Sequence, residues 1–181
     1  MKQNPNSSKS TVLALLVFIF ILPGCLALMF YQHPQWLGSR TANHGQLISP
    51  FVKLDGLSSP KYWHLLLVTD KACDKQCLTT LDKLARVRLA LGRLSREVDL
   101  RLMVSKADML PNKAIRAQMK DMAMAAQVLL PIDQQRLTER NFIAGLFIVD
   151  PRGYMVLSYP IDTKQKPIYQ DLKHLIKIAN Q

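Results

Sequence analysis

Trp63-His-Leu-Leu-Leu-Val-Thr-Asp-Lys-Ala-Cys-Asp-Lys-Gln-Cys77 is the stretch that decides the fold. Its first half, Trp63–Thr69, has a continuous apolar run at its centre, the pattern of a central strand buried on both faces. From Asp74 to Leu91 the apolar period changes. Leu78, Leu81, Ala85 and Leu89 follow helical spacing, as do Cys77, Leu84 and Leu91, while Lys75, Asp82, Lys83 and Arg86 fill the opposite side. Asp74 stands where the positive end of a helix dipole favours an acid, and Gly92 where a helix terminates. A buried strand thus feeds an amphipathic helix, with Cys73 and Cys77 at the junction.

Downstream, Val98–Val104 alternates apolar and polar residues and predicts a strand with one buried face. Lys113–Gln127, bracketed by Pro111 and Pro131, predicts a second helix. Leu146–Val149 is another buried strand. Asp150-Pro151-Arg152-Gly153 fits a type I turn, so Tyr154–Ser158 is the antiparallel return. Tyr169, Leu172, Leu175, Ile176 and Ala179 mark a C-terminal amphipathic helix. The order β–α–β–α–β–β–α predicts an α/β domain with a central mixed sheet flanked by helices, the thioredoxin-like plan.

Upstream, residues 32–60 hold Pro34, Pro50, Pro60, Gly38, Gly45 and Gly56, and predict a tether with at most a short strand around Gln46–Ser49. Before it, Thr11–Tyr31 reads TVLALLVFIFILPGCLALMFY. As a helix this is about 31 Å long at ~1.5 Å per residue, enough to cross a hydrocarbon core. No formally charged side chain occurs between Ser10 and Ser39. Leu22-Pro23-Gly24-Cys25 invites a lipoprotein reading with Cys25 lipidated. The apolar run continues past it through Phe30, however, which favours a retained span with Cys25 as a small packing residue. Lys2 and Lys9 outweigh Arg40 and put the N-terminus inside, with Tyr31 and Trp36 suited to a headgroup layer. The expected organisation is a cytoplasmic N-terminus at 1–10, a transmembrane helix at 11–31, a tether at 32–60 and the thioredoxin-like domain at 61–181.

The 181 residues carry 24 Lys and Arg against 13 Asp and Glu, a net charge of +11, with 49% apolar residues. That composition suits a folded domain held near anionic lipid or an acidic partner, or one with a merely solvated basic face. No Arg-rich run is interleaved with aromatics, which argues against a nucleic-acid partner.

The cysteines carry the chemistry. A spacing of four places both on one side of a helix's first turn, within reach of a disulfide or a shared metal ion. The helix dipole and the flanking Lys71 and Lys75 favour thiolate. As a mere staple the pair would add only about 2 kcal/mol, because the loop it closes is short. On an oxidising face the remaining chemistries are thiol–disulfide exchange and binding of a soft ion, best Cu(I).

An anchor, a strand, Cys73-Asp-Lys-Gln-Cys77 at the following helix and a late Asp150-Pro-x-Gly hairpin resemble the Sco family of thioredoxin-like, copper-binding assembly factors for cytochrome c oxidase. More closely, residues 12–178 resemble a group of small Sco-like membrane proteins of proteobacteria associated with oxidase assembly. They do so through Thr41–Pro50, Trp63–Asp70, Val87–Gly92 and Phe147–Pro151. The resemblance implies a single-pass inner-membrane protein with a periplasmic domain. Its partner would be a cytochrome c oxidase subunit or another assembly factor, and Cys73 and Cys77 would hold Cu(I) or keep a partner's thiols reduced. Sco proteins add a histidine shortly before the strand leading into the Asp-Pro turn, but Arg140-Asn-Phe-Ile-Ala-Gly145 has none. His64 sits at the far end of its strand, His174 on a polar helix side, His33 near the membrane and His44 in the tether. Met119, Met122 and Met124 fit a core-facing helix. Nor does a proline stand just before Leu146, where thioredoxins place one opposite their cysteines. Three functions therefore remain: an assembly factor, a membrane-anchored thiol–disulfide oxidoreductase, and a binding module with a structural disulfide.

Overall fold

In the computed structural model, residues 5–32, 43–57 and 61–180 are described. Lys2, His33, Trp36 and Arg40, invoked above for orientation and the interface, lie outside them, as do residues 58–60. The chain divides into two compact units, at 1–41 and 42–181.

In the first unit, helix α1 spans Pro5–Gln32 and continues through Pro23. Within it Thr11–Gln32 has a mean hydropathy of 2.9, long and apolar enough to cross a membrane. Its described side chains from Thr11 onward are all exposed. Free Cys25 is among them.

The second unit is a six-stranded mixed sheet in the order β1-β6-β5-β2-β3-β4. Central β2 (Trp63–Thr69) pairs parallel with β3 (Val98–Val104) and antiparallel with β5 (Gly145–Val149). Its apolar run reflects this position, for Leu65 and Leu67 face one core and Leu66 and Val68 the other. Helix α2 (Lys75–Ala90) supplies Leu81, Leu84, Ala85 and Val87 to the first core. Leu89, predicted on its apolar stripe, is 74% exposed instead. Beyond α2, Gly92 has φ +61°, a conformation that glycine adopts without steric cost. Helix α5 (Gln165–Ala179) covers the same face with Ile168, Leu172 and Ile176. The hairpin of β5 and β6 (Tyr154–Tyr159) closes as predicted. Gly153 N–H donates to Asp150 O at 2.9 Å, and Asp150 Oδ1 accepts from the N–H groups of Arg152 and Tyr154.

Two expectations change. Helix α3 spans Lys113–Asp121, capped by Asn112, and stops short of Gln127. Ala123, at φ 51°, turns the chain into β4 (Met124–Val128), which pairs parallel with β3 and satisfies its outer edge. Helix α4 then runs Pro131–Glu139, with Pro131 in the first turn, where its missing N–H costs nothing.

The larger change concerns the supposed tether. Residues 46–53 form β1, an edge strand antiparallel to β6. Its register shifts between Leu47 and Val52, around Pro50, which has no N–H to give a ladder. A short 3-10 turn follows at Asp55–Leu57, held by Asp133, whose oxygens accept the N–H groups of Asp55 and Gly56. The start of β1 is fastened by buried Asp171 of α5. Its carboxylate accepts from the N–H groups of His44 and Gly45 at 2.7 and 2.8 Å and from the Tyr159 hydroxyl at 2.7 Å. His44 Nδ1 lies 2.8 Å from its other oxygen. Burial and the neighbouring carboxylate push the Tyr159 hydroxyl pKa far up, so it stays a donor.

Candidate functional site at Cys73 and Cys77

Strand β2 ends at Thr69, whose hydroxyl accepts the Lys71 N–H at 3.1 Å and so turns the chain toward α2. Asp74 caps that helix, its Oδ1 accepting the Cys77 N–H at 2.9 Å. One of the helix-end donors expected to favour sulfur is therefore spent on a carboxylate. Cys73 and Cys77 form a disulfide across the cap, with Cα atoms 5.2 Å apart. The two differ in surroundings. Cys73 is only 8% exposed and belongs to the core, whereas Cys77 is half-buried.

Cys77 also lines a cleft of about 1070 Å³ at this end of the sheet. Leu67, Lys71, Gln76, Ala144 and Ile161 help to form it. Lys83 fixes the far wall, donating from Nζ to the carbonyls of Ile161 and Thr163 at 3.2 and 3.1 Å. Lys71, Lys75 and Lys83 outnumber Asp74 and Asp162 around it, which leaves the cleft mildly basic.

The segment where the Sco resemblance would place a histidine, between α4 and β5, carries Asn141, Phe142, Ile143 and Ala144, and Ala144 faces the cleft. Among the described residues, no three of His, Cys, Asp and Glu are grouped as metal ligands. While joined to each other, the two sulfurs offer no thiolate; reduction supplies two. The histidines do not complete a set here. His44 is bound to Asp171, and His174 is exposed on α5. His64 is buried at the start of β2, with both ring nitrogens lacking hydrogen bonds and Nδ1 3.5 Å from Asp99 Oδ2. Met119 and Met124 are core residues, and Met122 packs against that core. The cis peptide Ser49–Pro50 lies on β1, not ahead of β5.

Comparison with known proteins fits this geometry. Residues 63–179 match the family described as "Transmembrane-like, thioredoxin-like, C-terminal domain". The chain belongs to that family. No curated protein matches it. Among solved structures, the thioredoxin-like domain is similar to apo Sco1 from Thermus thermophilus, at 15% identity and a TM-score of 0.56, covering 76% of this chain and 99% of that one. It is also similar to Arabidopsis thaliana ScoI, solved with copper bound, at 13% identity and a TM-score of 0.52, covering 74% and 98%. The thioredoxin domain of a Bacteroides vulgatus thiol-disulfide oxidoreductase matches at 12% identity and a TM-score of 0.45, covering 73% and 96%. At such identities the likeness to the two Sco structures shows the fold alone.

Sequence reasoning placed the cysteine pair correctly at the strand–helix junction. It missed Ala144 and Ile161 as cleft walls. Both precede or follow strands distant in sequence, and neither has a chemical signature of its own.

Proposed function

We propose that this protein is an inner-membrane-anchored, Sco-like assembly factor for cytochrome c oxidase. Its thioredoxin-like domain would lie in the periplasm and reduce a partner's disulfide, keeping copper-site thiols free. The observation that carries this is the Cys73–Cys77 disulfide opening through Cys77 into a cleft, at the junction where thioredoxin-like folds do thiol chemistry. In the reduced protein, one thiolate attacks the partner disulfide and the other resolves the mixed disulfide. The partner gains two electrons and two protons, the pair returns to the disulfide, and a second dithiol protein re-reduces it. Exchange is favoured over Cu(I) transfer because Ala144, not a histidine, lines the cleft that Cys77 opens into from the segment ahead of β5.

Three measurements test this. Full-length protein equilibrated in dithiol redox buffers should show a potential above about −300 mV; a lower value marks an inert structural bridge. Deleting the protein should lower cytochrome c oxidase activity, with wild type but not Cys73→Ser/Cys77→Ser restoring it. Cu(I) titration of the reduced protein separates the copper alternative, since stoichiometric binding lost in the double variant would favour cargo transfer.

A further inference from the structure

We infer that Cys77, the second cysteine of the motif, is the sulfur that joins the partner, and that Cys73 is the leaving and resolving sulfur. This rests on the exchange chemistry proposed above and assigns the roles within it. Two observations carry it. Cys73 is 8% exposed within the core between the sheet and α2, so an incoming sulfur is screened from it. Cys77 is half-buried and lines the cleft, whereas Cys73 does not.

The electrons then move as follows. In the reduced protein the Cys77 thiolate attacks one sulfur of a partner disulfide. That S–S bond breaks, and the partner's other sulfur leaves as a thiolate and takes a proton from water. Cys73 gives up its proton to water and attacks Cys77 Sγ, and the bond between Cys77 and the partner breaks with its electron pair on the partner sulfur, which takes a proton from water. In reverse, a partner thiolate attacks Cys77 and Cys73 departs.

The test uses reduced full-length protein in detergent and a limiting amount of iodoacetamide. Trypsin cleavage after Lys71, Lys75 and Lys83 puts Cys73 in peptide 72–75 and Cys77 in peptide 76–83, so mass spectrometry reads each rate in the wild type. Alkylation of Cys77 at least tenfold faster is expected; equal or reversed rates overturn the assignment. A second arm offers a cysteine peptide activated as its 2-nitro-5-thiobenzoate disulfide. Cys73→Ser should form a mixed disulfide through Cys77 at least tenfold faster than Cys77→Ser does through Cys73. A mixed disulfide formed mainly through Cys73 overturns the assignment but leaves exchange standing. Failure of both variants and of the wild type to react removes exchange itself, and the assignment with it.

Discussion

Replacing Asp171 by alanine should cost about 4 kcal/mol of stability, because one buried carboxylate gathers donors from two distant parts of the chain. Two of them, the Gly45 N–H and the Tyr159 hydroxyl, bond to it in buried positions. Stripped of their acceptor, each loses about 1–3 kcal/mol. The His44 groups are half-exposed to water and rehydrate, so they add little. Tyr159→Phe removes one donor and leaves the carboxylate its other partners, a loss of about 1–2 kcal/mol. In the Asp171→Ala background the same Tyr159→Phe change removes an orphaned hydroxyl and should cost nearly nothing. The coupling between the two positions is then about 1–2 kcal/mol, measurable by urea denaturation of the full chain in detergent, followed by circular dichroism. Additivity within 0.5 kcal/mol would refute the claim that Asp171 organises this corner.

Gly45→Ala should destabilise through the same corner, since a Cβ there meets the Tyr159 ring, and Tyr159→Leu should recover part of the loss in a thermal melt. The Asp99 carboxylate is partly buried, which works against ionisation, but His64 and the Arg101 guanidinium at 2.7 Å hold its pKa down to about 2. A depressed carboxylate contributes stability that is present above its ordinary 3.8 and lost as pH falls through about 2. The gap corresponds to about 2 kcal/mol, so Asp99→Asn should flatten the acid limb of a stability–pH curve between pH 4 and 2, and an unchanged limb would contradict the pairing. Leu81→Ala, at a fully buried position of α2, should cost about 2–5 kcal/mol in denaturant titration and leave the thiol count unchanged.

Most of the central architecture was legible in residue patterns, because local physics sets it. An uninterrupted apolar run means a strand buried on both faces, and Trp63–Thr69 is that strand. A helical period beginning at an acid means a capped helix, and Asp74 caps α2 as its position suggested. Asp150-Pro-Arg-Gly153 forms a turn from its own residues, so β5 and β6 followed from it. The 22-residue apolar helix needed only composition and length. Where pairing partners are remote, patterns said less, and gave for the supposed tether at most a short strand around Gln46–Ser49. Gln46–Lys53 holds a proline and few consecutive apolar residues, and it is a strand only because β6, more than a hundred residues later, offers it a ladder. Met124–Val128 suits a helix as well as a strand, and the open edge of β3 decided between them.

The same division holds at the site. Spacing alone brought Cys73 and Cys77 within bonding reach, since residues four apart share a helical turn. Which sulfur meets the outside is not a local property. Tertiary packing buries Cys73 in the core and walls Cys77 with Ala144 and Ile161 from distant segments, so only the folded chain makes the two sulfurs unequal.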